Sequence, residues 1–100
     1  MGLTETREHG MVRKYIIVTG RVQGVGFRYH AVNLAMEYNI TGWVRNMVSG
    51  GVEMEAQGRE ENVDMFIQML DHDTHWIRID NKSVADSIVL PDETGFHVRY

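Results

Sequence analysis

Two strand-like segments joined by a glycine turn sit in the middle of this chain with a helical pattern on either side, and few folds accept that order. Val52, Met54 and Ala56 alternate with Glu53, Glu55 and Gln57, the period-two signature of a strand with one face on a core. Ser49-Gly50-Gly51 supplies turn chemistry ahead of it, and Ile40 to Met47 reads as the partner strand of a hairpin. Before the hairpin, within His30 to Tyr38, Ala31, Leu34, Ala35 and Tyr38 fall at i, i+3, i+4 and i+7. After it, from Gly58 to about Asp71, Val63, Phe66, Ile67 and Leu70 line one helical stripe, with Glu60, Glu61 and Asp64 on the wet side. The N-terminal strand, Met11 to Val22, carries the nearly unbroken apolar run Tyr15-Ile16-Ile17-Val18-Thr19, which suits a central strand covered on both faces or nearly so. Trp76 to Ala85 has the weakest pattern and reads as an edge strand. A linker through Pro91 and Gly95 leads to Phe96, Val98 and Tyr100, which alternate with His97 and Arg99 as a short closing strand. The expected fold is α+β, a ferredoxin-like βαββαβ sandwich with two helices on one face of a mainly antiparallel sheet and a short C-terminal strand.

Composition narrows the classes of function. The 100 residues are one domain's worth of chain, and 43% apolar residues can supply a core without a staple. Residues 1–11 read as a polar tail and 12–100 as the single domain. Met11 is a second candidate for the natural start. With no Cys, disulfides, thiolate nucleophiles, Cys-ligated zinc and iron–sulfur clusters are excluded. A net charge of −4 is the opposite of the basic footprint needed to grip a nucleic-acid backbone, so no nucleic-acid partner is expected. No apolar run approaches the roughly 20 residues that span a bilayer, and no membrane partner is expected either. Met1-Gly2-Leu3-Thr4-Glu5-Thr6 fits a myristoylation pattern, but one acyl chain binds membranes only marginally and Glu5 and Glu8 give no polybasic second signal. The sequons at Asn39 and Asn81 lack a signal peptide upstream and read as coincidence. A cytoplasmic monomer is the expectation.

Chemistry concentrates in two places. Gly20-Arg21-Val22-Gln23-Gly24-Val25-Gly26-Phe27-Arg28 lies between a strand and a helix N-terminus, where free amide donors and the helix dipole favour an anion. It is neither a Walker A loop nor a G-x-G-x-x-G dinucleotide loop. Glycines at positive φ would let successive N–H groups converge on a phosphate, and Arg28 adds a planar fork for two of its oxygens. The alternative is a tight turn whose glycines only let helix pack on strand. Gly42-Trp43-Val44-Arg45-Asn46 is the second cluster. Asn is disfavoured in strands and needs partners when buried, so Asn46 is either a strand-end residue beside the turn or a functional one.

Together these stretches, Val18 to Arg28 and Gly42 to Asn46, with Gly50, Val52 and Gly58 following, closely resemble the two signatures of the acylphosphatases. The resemblance runs from Arg13 to Tyr100 and weakens only over Asp71 to Ser83, where His72-Asp73-Thr74-His75-Trp76 fills a turn before the fourth strand. It implies a hydrolase acting on acid anhydrides, with Arg28 binding phosphate and Asn46 positioning the attacking water. It also implies that the backbone of Arg21, Val22, Gln23, Gly24, Val25, Gly26 and Phe27 cradles the phosphoryl oxygens. The partners would be a small-molecule acyl phosphate and the inorganic phosphate it releases, with no cofactor and no metal. Carboxylate leaves without a proton, so positioning and charge stabilisation suffice, and an Asn amide can orient water but not deprotonate it. In-line attack by water, with its proton passing to a phosphate oxygen, is expected. Neither a guanidinium nor an amide titrates near neutrality, so activity should be flat from about pH 5 to 7.

Other features read as structure. His30, on the first turn of the helix, suits packing better than rate tuning. His72 and His75, with Asp71 and Asp73 beside them, could share an ion as two imidazoles three apart on a helix, but no third ligand is evident and the segment reads as a helix end with solvated charge. Met36, Met47, Met54, Met65 and Met69 are expected to fill core gaps. An RNA-binding module on the same fold would need its third strand to face RNA, and there it offers Glu53 and Glu55. A phosphate-recognising domain without turnover is the remaining alternative.

Overall fold

The structure, a computed structural model, describes residues 10–72 and 74–100; the tail reading for residues 1–9 therefore lies outside the described residues. Along these residues run β1 (Met11–Arg21), α1 (Phe27–Glu37), β2 (Thr41–Asn46), β3 (Val52–Arg59), α2 (Glu60–Met69), β4 (Arg78–Ser87) and β5 (Phe96–Arg99). The strands form one sheet in the order β4-β1-β3-β2-β5. β1 pairs antiparallel with both β3 and β4, β2 pairs antiparallel with β3, and β5 lies parallel to β2. This is the expected ferredoxin-like arrangement, with β4 on one edge and the short β5 on the other.

Alternation along the hairpin decides which face takes the helices. Val52, Met54 and Ala56 are fully buried, and Ile16, Val18 and Val44 from the neighbouring strands lie on the same face. Against them pack Phe27, Ala31, Leu34 and Ala35 of α1, Val63 and Phe66 of α2, and Leu70 just beyond it.

The other face is closed by polar side chains. Arg13 on β1 is only 2% exposed, because Nε donates to Glu55 Oε1 at 2.5 Å while Nη1 and Nη2 donate to the two Glu93 oxygens at 2.7 and 3.1 Å. Arg13 Nη1 also reaches Gln57 Oε1, and the Thr41 hydroxyl donates to Glu93. Gln57 grips Leu90 twice, accepting from its N–H and donating to its carbonyl, each at 2.8 Å. The linker between β4 and β5 is thus strapped across a face that the sequence pattern marks only as polar. Burial alone would raise the Glu93 pKa, but hydrogen bonds from Arg13 and Thr41 and the Arg13 charge outweigh it and hold the carboxyl below its ordinary value.

Some expectations change. The helix begins at Phe27, not His30, because Gly26 takes a left-handed conformation at the cap and lets Phe27 turn into the core. β4 is shifted to Arg78–Ser87, since pairing extends to Ser87 opposite Arg13, and Trp76 is left outside it and 70% exposed. Of the methionines assigned to the core, Met54 is fully buried but Met36 and Met65 are exposed, being on the outer faces of their helices. Met11, read both as the last residue of the tail and as the start of the N-terminal strand, is the first residue of β1.

Candidate active site

The route from β1 into α1 is irregular from its start. The β1–β4 register shifts between Thr19 and Gly20, a bulge that redirects the chain at the strand end. Arg21 still belongs to β1, opposite Arg78, and Val22 is buried in the core; in the loop that follows, Gly24 and Gly26 are exposed while Gln23 and Val25 are half-buried, Val25 against the core. Gly24 and Gly26 have φ of +73° and +81°, and a Cβ at either would meet nothing within 4 Å. These glycines are therefore required for backbone conformation and not for close packing of helix on strand.

This conformation leaves the α1 N-terminus open. The carbonyl of Gly26 accepts from His30 N at 3.0 Å, so the amides of Phe27, Arg28 and Tyr29 precede the first helical bond. Among the described residues no side chain caps this end, and its first turn holds no acidic residue. Arg28 projects from that turn with its guanidinium carbon 5.2 Å from the centroid of the Tyr100 ring, and among the described residues it forms no ion pair. His30 packs: its ring is tilted against Phe27, and Nε2 lies 3.0 Å from the Leu70 carbonyl.

Asn46 closes β2. Alternation from Val44 puts it on the helix side of the sheet, and its Oδ1 is buried with no hydrogen-bond partner among the described residues. A buried acceptor left unpaired is costly and uncommon. What holds this strand end beside the loop is Gln23. Its Nε2 donates to the carbonyls of Met47 at 2.7 Å and Gly51 at 2.8 Å, the same carbonyls that close the hairpin turn by accepting from Gly50 and Met47. Sequence reasoning counted Gln23 only for its backbone; the signal for more was a long amide among glycines and valines.

Beyond Asn46 a groove of about 350 Å³ is lined by Arg45, Met47, Val48, Glu53 and Tyr100 as well as Asn46 itself. Glu53 is occupied, accepting from Tyr15 Oη at 2.5 Å and from Arg45 Nε and Nη2 at 2.9 and 2.5 Å. The Tyr15 hydrogen bond, aided by Arg45 and opposed by burial, keeps the Glu53 carboxyl below its ordinary pKa. Arg45 and Arg99 also flank the Trp43 ring, at 5.4 and 4.5 Å from its centroid. Among the described residues, no three His, Asp or Glu side chains gather as a metal set, and no helix is long and apolar enough to cross a membrane.

The fold defines a ferredoxin-like α+β domain, and its glycine loop, open helix end and unpaired guanidinium have the character of an oxyanion site. Comparison with known proteins makes the class specific. The family model described as Acylphosphatase matches residues 14–98. An acylphosphatase of Geobacillus thermodenitrificans is 42% identical over 90 residues, covering 90% of this chain and 96% of the relative. The crystal structure of acylphosphatase from Bacillus subtilis superposes with a TM-score of 0.83 at 35% identity, over 89% of this chain and 99% of that one. The structure of an acylphosphatase from Coxiella burnetii gives 0.85 at 30% identity, over 97% and 100%. The chain belongs to the acylphosphatase family, hydrolases that act on acid anhydrides.

Proposed function

We propose that this chain hydrolyses the carboxyl–phosphate anhydride of small acyl phosphates, with the phosphoryl group held at the start of α1 and a water oriented by Asn46. The observation that carries the reading is the buried, unpartnered Oδ1 of Asn46, held by its strand and by Gln23 next to an uncapped, acid-free helix end. An acceptor in that position takes an O–H of water and turns a lone pair of its oxygen toward phosphorus.

The amides of the Arg21 to Phe27 loop and the fork of Arg28 bond the non-bridging phosphoryl oxygens and stabilise the charge they gather in the transition state. The new bond joins the water oxygen to phosphorus, and the bond to the acyl oxygen breaks. Its electron pair leaves with the carboxylate, and a water proton passes to a phosphate oxygen. Because the leaving carboxylate needs no proton, this chemistry calls for no acid, no cofactor and no metal. Residues 12–100 act as one unit in this reading, working as a monomer whose open sheet face is already occupied by its own Arg13, Gln57 and Glu93. In this reading the reaction takes place in the cytoplasm, on the ground that a doubly charged acyl phosphate made there does not leave across a bilayer unaided.

The test is hydrolysis of benzoyl phosphate in excess EDTA by the native chain and by Asn46→Ala, with inorganic phosphate binding followed by thermal shift. Native turnover indifferent to EDTA, with Asn46→Ala losing about a hundredfold or more in kcat while phosphate still stabilises the variant, is expected. A folded native chain that binds phosphate and turns nothing over would make it a phosphate-recognising domain instead.

A further inference from the structure

We infer that Gln23 is a positioning residue of the hydrolysis, acting through its side chain to register Asn46 against the phosphoryl group. This rests on the hydrolase reading above. The two parts of the site come from separate supersecondary units: the loop and Arg28 from the β1–α1 junction, Asn46 from the hairpin. The side-chain amide of Gln23 ties the first unit to the second, from the middle of the loop to the turn that follows Asn46.

Its two N–H bonds are both spent, one on the carbonyl of Met47, the residue directly after Asn46, and one on the carbonyl of Gly51 across the turn. Each of those carbonyls already accepts a main-chain N–H of the turn, from Gly50 and from Met47. The hairpin would therefore close without Gln23, and what the side chain adds is attachment of the turn to the loop. Glutamine suits this role better than its near neighbours. Asn lacks the reach, an ionised Glu has no donor and would face two carbonyl oxygens, and Met keeps the length but donates nothing. Attack in line on phosphorus is sensitive to nucleophile placement at the scale of an ångström, so releasing this tie moves the water while leaving the phosphate donors of the loop and Arg28 in place.

A double-mutant cycle separates positioning from mere structure. With benzoyl phosphate, Gln23→Met is expected to lower kcat about tenfold while the inhibition constant of inorganic phosphate changes less than about twofold. In the Asn46→Ala background, where the oriented water is already lost, the same substitution is expected to cost nothing further in kcat. Equal losses in the two backgrounds, or phosphate inhibition weakening in step with kcat, would overturn the inference by making Gln23 part of the loop's own architecture. Gln23→Glu gives a second readout that does not depend on the Met variant folding. Its kcat should rise as pH falls and the carboxyl gains a proton to donate, and a profile parallel to the native one would equally overturn it. If Asn46→Ala alone keeps native kcat, the water-positioning reading itself fails, a result distinct from a failed cycle.

Discussion

The molecule makes the same strand-to-helix passage twice and builds it in opposite ways. β3 runs straight into α2 with no residue between Arg59 and Glu60; Glu60 and Glu61 occupy the first turn, and the Glu60 N–H is taken by the Gly10 carbonyl. β1 reaches α1 only through a bulge and Val22 to Gly26, and the helix starts with a left-handed glycine, no cap and no acid. Among the described residues neither helix start has a side-chain cap, but the α2 start is stabilised by the Gly10 carbonyl on the Glu60 N–H and by carboxylates at the positive end of the dipole. The α1 junction forgoes that stabilisation, and the donors it leaves open suit an anionic ligand. In the proposed reading, the junction that forgoes this stabilisation is the one that binds the phosphoryl group.

The largest effect should come from Arg28, which among the described residues has no carboxylate partner, whereas Arg59 at the α2 junction is paired with Glu61. Arg28→Ala is expected to reduce kcat/KM for benzoyl phosphate about a thousandfold and to abolish phosphate protection in a thermal melt. This differs from Asn46→Ala, which is expected to keep the protection. Retained protection in Arg28→Ala would show that the amides suffice and that the comparison overstates the guanidinium.

Stability should respond to the opposite face. Arg13→Met leaves Glu55 and Glu93 without their shared cation and should destabilise the fold by about 3 kcal/mol in urea unfolding, with kcat per folded molecule little changed. Glu93 also sets a pH direction. Its pKa in the folded chain lies below the ordinary 4.5, so its contribution is fully present above that value and is lost as pH falls through the lower, folded one. Native stability should thus fall on acidification below about pH 4.5, and Glu93→Gln should flatten that limb, while activity stays level between about pH 5 and 7. Unfolding midpoints measured against pH for both chains check this.

The smallest effects come from making the two helix ends alike. Tyr29 is exposed on the first turn of α1, and Tyr29→Glu, which mimics α2, should weaken phosphate binding about fivefold by bringing negative charge to the site. Glu60→Gln in α2 should lower the melting temperature by no more than a few degrees and leave KM unaltered. Equal sensitivity of KM to both would erase the distinction between the junctions.

Much of this was legible in the sequence, for physical reasons that differ by region. Period-two polarity at Val52 to Gln57 and the stripe from Val63 to Leu70 mark the faces that meet in the core, and both elements stand where the pattern places them, although Glu53 and Gln57 on the polar face are buried too. β4 was the least legible, because its residues are mostly exposed and its bounds follow from pairing with β1. Met36 and Met65 show that an apolar side chain on a helix does not choose the buried face by identity alone. In the site, Arg28 and Asn46 stood out because a guanidinium beside glycines and an amide in a strand are unusual locally. The Gln23 tie and the Arg13 strap join residues far apart in the chain, and no local pattern announces such contacts.

The central claim is that this site holds the phosphoryl group and delivers water to phosphorus. Hydrolysis of benzoyl phosphate by the native chain in water enriched in heavy oxygen tests it most directly, with mass spectrometry of both products after a single turnover. The expected result is heavy oxygen in the inorganic phosphate and none in the benzoate. Label in the benzoate would mean attack at the carbonyl carbon and would contradict the roles of Asn46, Arg28 and the glycine loop in holding and attacking a phosphoryl group.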